Sequence, residues 1–66
     1  MSLINWHIEI EREDKEKYDE MISKMVSLDN LDERMNVCYD ILYDIQENYP
    51  TFFPYLEDEI KELTLA

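Results

Sequence analysis

Apolar residues recur at alternating steps of four and three through the middle of the chain: Leu31, Met35, Cys38, Leu42, Ile45 and Tyr49. That spacing places all six on one stripe of an α-helix running from Leu31 to Tyr49. Val37 and Ile41 form a second row beside it and widen the stripe, so more than one neighbour can cover this helix. Glu33, Asn36, Asp40, Asp44 and Glu47 fall on the opposite side. Asn30 followed by Glu33 has the form of a capping box at its start. At its end, Pro50 pushes Tyr49 out of helical geometry.

Two further helices are expected around this one. Tyr18, Met21, Met25 and Leu28, with Ile22 beside them, continue at helical spacing and predict a first helix over about residues 15–27, capped by Asp14. The mixed-charge run before it, Glu11 to Lys17, has no apolar position and reads as a solvated connection and first turn. The short turn Ser27–Asn30 makes the first and central helices antiparallel neighbours. Thr51 can cap a third helix, with Pro54 tolerated in its first turn, where an N–H has no helical partner anyway. Phe53, Leu56, Ile60 and Leu63 form its inward stripe.

The opening stretch follows a different period. Ile4, Trp6, Ile8 and Ile10 alternate strictly with Asn5, His7, Glu9 and Glu11, the pattern of a β-strand. A helix with Leu3, Trp6 and Ile10 inward would place Glu13 and Asp14 on its apolar stripe at the next step. No second strand-like segment is present to pair with the first, so a strand here takes its partner from another chain. The expected fold is therefore mainly α: one small three-helix domain over residues 1–66, preceded by a short N-terminal strand. Ile4, Trp6, Ile8 and Ile10 become candidates for self-association.

Composition sharpens this picture. A chain of 66 residues buries only about 60% of the surface its unfolded form exposes, so a lone copy is marginal and a homodimer is expected. The 45% hydrophobic content is that of a folded protein. The single Cys38 lies on the apolar stripe, where a buried thiol packs as a small hydrophobe. That usage fits a reducing, cytoplasmic setting. No apolar run approaches the length of a membrane span.

Charge separates the function classes. Seventeen acids against six bases give a net charge of −11. The excess is spread along the chain: residues 1–37 hold ten acids and five bases, residues 38–66 seven and one. Such a field repels nucleic acid and anionic lipid and attracts basic protein surfaces. Chemistry is sparse. His7 is the only histidine; beside it the chain offers only Cys38, better explained as core, and scattered hydroxyls, with no calcium loop, zinc cluster or phosphate-cradling glycine loop, so no catalytic, cofactor or metal residues are assigned. One row stands out. Asp40 and Asp44 lie one helical turn apart, about 6 Å along the axis, a spacing close to that of successive phosphates. Tyr39 and Tyr43 run beside them, and Glu33 and Glu47 extend the row. These six residues are the candidate partner-binding face. Removing both aspartate charges is expected to spare folding, because like charges one turn apart repel.

In size and charge alone, the chain resembles the small acidic helical antagonists of nucleic-acid-handling enzymes that bacteriophages carry. The leading expectation is a non-enzymatic inhibitor or regulator of a basic protein, imitating nucleic acid. A structural or adaptor subunit using apolar surfaces is the alternative. An immunity or antitoxin protein against a cationic nuclease shares the electrostatics of the first.

Overall fold

The computed structural model describes residues 3–65. They form three helices, α1 (Arg12–Ser27), α2 (Leu31–Asn48) and α3 (Phe53–Leu65), with an irregular segment of residues 3–11 laid across them. Helix α2 packs on both neighbours, while α1 and α3 touch each other least. Tyr18, Ile22 and Met25 of α1, Cys38, Ile41, Leu42 and Ile45 of α2, and Leu56 and Ile60 of α3 are buried in a single core. Leu31, expected on the stripe, is half exposed instead. It occupies the first position of α2; Met35, one turn on, is half-buried, and the buried stripe begins two turns later at Cys38.

The helix ends follow the local chemistry with two exceptions. Asn30 caps α2, its side-chain oxygen accepting from the Glu33 amide at 3.2 Å. Tyr49 closes α2 in front of Pro50, donating its amide to the Ile45 carbonyl at 2.7 Å. Helix α1 begins three residues earlier than expected, after Glu11 rather than at an Asp14 cap. Within the charged run, Arg12 and Glu16 pair one turn apart at 3.3 Å, which adds local support to this extra turn. Asp14 is thereby moved inside the first turn. Thr51 does not abut α3; it sits in the preceding turn, where the Phe52 and Phe53 amides both donate to the Tyr49 carbonyl. Pro54 takes the second position of α3, as its missing N–H allows.

No strand is found among the described residues, so the expectation of a strand over Ile4–Ile10 is not confirmed. A strand needs a ladder for its backbone groups, and no second strand is present among the described residues. The segment satisfies itself with a turn: the Ile10 amide donates to the His7 carbonyl at 3.1 Å, and the Glu9 amide to His7 Nδ1 at 3.1 Å. That turn throws Ile8 outward, 87% exposed, while Ile4 and Ile10 enter the core. Trp6 is held between them. Its indole N–H donates to Asp19 at 2.6 Å, and its ring packs 5.6 Å from that of Tyr18. His7 stacks on Phe52 at 4.4 Å. Three of the four residues expected to mediate self-association are thus engaged within the chain, and the segment is a strap tying α1 to the α2–α3 turn.

The far end of the bundle has its own fastening. Helix α3 carries no basic residue in its last turn, and Arg34 of α2 supplies one, donating through Nη2 to the Leu63 carbonyl at 2.9 Å. That carbonyl is one of the four a helix end leaves unpaired. Thr64, absent from the expected stripe, is buried beside it, its hydroxyl returning to the Ile60 carbonyl at 2.9 Å with Met25 Sδ at 3.2 Å. The hydroxyl is tolerated there because it is paired.

Candidate protein-interaction surface

Six residues of α2 make up the face expected to meet a partner, and the bundle divides them. Asp44 turns toward α1. It accepts from the Tyr18 hydroxyl at 2.7 Å and from Lys17 Nζ at 3.1 Å. The Tyr18 bond, aided by Lys17 and opposed by partial desolvation, holds the Asp44 carboxyl below the usual carboxylate range. Burial, then the bond to Asp44, pushes the Tyr18 hydroxyl well above the ordinary tyrosine value. Tyr49 makes a similar tie, its hydroxyl donating to Asp14 on α1, and that bond raises its own titration. Asp44 is therefore a fastening between helices, and the phosphate-like pair of Asp40 and Asp44 does not exist as a free row. Removing both charges is now expected to destabilise the fold. Tyr18 carried the signal in the sequence: an inward tyrosine needs a partner for its hydroxyl, and Asp44, flanking the buried Ile41 and Ile45, stands at the edge of the stripe.

This tie makes stability depend on pH in a defined way. Asp44 is depressed in the folded state, so its contribution is present above about pH 4, the ordinary carboxylate value, and is lost as pH falls through the lower folded value. Tyr18 is raised, so its contribution is present below about pH 10 and declines as pH rises further. Tyr18→Phe is expected to cost about 1–2 kcal/mol at neutral pH, allowing for partial exposure of the pair. Urea unfolding of parent and variant should show a constant gap from about pH 5 to 9 that closes on both sides. A gap that ignores pH would remove the tie.

The remaining residues face solvent. Glu33, Asp40 and Glu47 are exposed, and Tyr39 and Tyr43 are exposed to 55% and 66%. The two tyrosines lean toward α3 and line the seam between the helices. One groove, of about 190 Å³, is bounded by Met35, Tyr39, Lys61 and Leu65, with Cys38 and Thr64 on its wall. Its neighbour, of about 340 Å³, is bounded by Tyr39, Tyr43, Leu42, Phe53, Glu57 and Lys61. Tyr39 and Lys61 belong to both, so the grooves form one furrow along α2 and α3. Lys61 is paired with Glu57 at 3.5 Å. Glu33, Asp40 and Glu47 line neither groove. The Cys38 thiol is buried in the core.

Among the described residues no cluster of three or more metal-ligating side chains is present, and no helix is long and apolar enough to cross a membrane. No family profile, curated protein or solved structure matches this chain.

Proposed function

We propose that this protein is a small non-enzymatic regulator that binds a basic, nucleic-acid-handling protein through the α2–α3 furrow. The observation that carries the reading is the pair Tyr39 and Tyr43, exposed one turn apart on a chain of net charge −11. Tyrosine is enriched where proteins meet, because its ring buries area at small entropic cost while its hydroxyl stays paired. Asp40 and Glu47 extend from the same helix, about 10 Å apart along its axis, and supply attraction for a cationic surface. With Asp44 engaged on α1, that attraction comes from spaced carboxylates around an aromatic furrow rather than from a phosphate-like row. A second copy of the chain is the less favourable occupant, because it brings the same −11 to the contact. The stacking of His7 on Phe52 and the burial of Cys38 in the core support the non-enzymatic reading.

The test is the salt dependence of a captured complex. The partner is isolated on immobilised protein at low ionic strength and its affinity measured from about 50 to 500 mM salt. A loss of at least about tenfold, and displacement of the chain by duplex DNA or RNA, is expected of charge-led association with a nucleic-acid-binding surface. Affinity that does not change with salt supports an apolar adaptor instead.

A further inference from the structure

A separate cleft lies between the N-terminal strap and α3. Asn5, Trp6 and His7 of the strap line it together with Phe52, Tyr55, Leu56 and Glu59, and this open cleft has a volume of about 520 Å³. Four rings therefore converge on one space, in a chain with eight aromatic residues and one histidine. The walls are held in place. The Trp6 indole N–H is committed to Asp19, its ring packs near Tyr18, and His7 and Phe52 are stacked with 22° between their planes. Tyr55, by contrast, is 75% exposed on the rim. Glu59 is also exposed and has no ion pair among the described residues.

No lysine or arginine lines this cleft. Arg12 is paired with Glu16, Lys17 with Asp44 and Lys61 with Glu57, and Arg34 caps α3. The cleft thus combines aromatic rings and the Asn5 amide with a carboxylate, and no lysine or arginine is present to complement them. An apolar side chain would fill the rings and leave Glu59 without a role. A cation satisfies both, because ring faces attract positive charge most strongly where water is partly excluded. Among protein cations, the guanidinium fits best: it is planar, weakly hydrated, stacks on aromatic faces and offers parallel N–H donors to a carboxylate.

We propose that this cleft binds the side chain of an arginine, stacked among Trp6, Phe52 and Tyr55 and paired with Glu59. The source of the arginine rests on the reading of the partner as a basic protein; the chemistry of the cleft does not. The site shares no lining residue with the α2–α3 furrow, so it gives a basic partner a second point of attachment.

The experiment uses the full chain and no partner. Trp6 is the only tryptophan, so its fluorescence reports the cleft directly. The protein is titrated with arginine blocked at both termini, with blocked citrulline as the neutral isostere and blocked lysine as a control for charge alone. Arginine should give a saturable change at millimolar concentration, with citrulline and lysine both weaker by about fivefold or more. Glu59→Gln and Tyr55→Ala should each weaken arginine binding by a similar factor while circular dichroism and melting stay those of the parent, since both side chains are exposed. Glu20→Gln, an exposed charge on α1, should leave binding unchanged. A non-saturable response, or equal binding of citrulline, would overturn the site. Equal binding of lysine overturns the guanidinium assignment, and an equal loss in Glu20→Gln reduces the effect to net charge. Failure here leaves the salt test of the α2–α3 furrow untouched, and failure there leaves this result standing.

Discussion

Ile10→Ala is expected to cost about 2–5 kcal/mol of stability, and Ile8→Ala almost nothing. The two residues share a chemical type and sit two positions apart, so a strand would treat them alike. The turn that closes on His7 separates them: Ile10 is 1% exposed, in contact with the core, and Ile8 stands in solvent. Alanine at position 10 removes most of a buried side chain and leaves a cavity that the three helices cannot collapse to fill without losing their own contacts. Stability of roughly 3–10 kcal/mol follows for a 66-residue domain from the usual value per residue, so this substitution consumes a large fraction of it. Chemical denaturation of both variants settles the matter. Equal losses at positions 8 and 10, or a tolerant Ile10, would contradict the strap.

The contrast between those isoleucines also shows what a one-dimensional pattern can carry. Helix α2 was legible because its signals are local: Asn30 caps its own helix, Pro50 ends it, and Cys38, Leu42 and Ile45 recur at the spacing that faces a neighbour. Met25 in α1 and Ile60 in α3 were legible for the same reason. The N-terminal alternation misled because a period of two records which side chains want burial, without saying whether a ladder partner exists. Ile4, Trp6 and Ile10 do reach the core or its edge, by way of a turn instead of a strand. Asp44 was misplaced on the free face for a related reason. Helical spacing orders residues on one helix, and the Tyr18 hydroxyl that claims Asp44 belongs to another. Thr64 carries no such signal, because a hydroxyl at an inward position counts as polar until its acceptor, the Ile60 carbonyl, is in view. Of the proposed face, Glu33, Tyr39, Asp40, Tyr43 and Glu47 remain exposed, while the aromatic cleft, assembled from residues nearly fifty positions apart, has no signature in spacing.

The second large effect is expected at the furrow. Tyr39→Ala together with Tyr43→Ala should weaken partner binding by about a hundredfold, near 2.7 kcal/mol. Tyrosines at the centre of an interface lose ring area and hydroxyl pairing together when truncated, which is why they dominate binding energy where they occur. Folding should be little affected, because both rings are more than half exposed and alanine is the strongest helix former. Asp44→Asn is the counterpart: it loosens the tie to Tyr18 and lowers the melting temperature, yet leaves the furrow in place. The decisive measurement is the affinity of the captured partner, by calorimetry at low salt, for the parent, the double tyrosine variant and Asp44→Asn. A large loss in the tyrosine variant, with Asp44→Asn close to the parent, is the predicted result. Unchanged affinity in the tyrosine variant would contradict the assignment of this face.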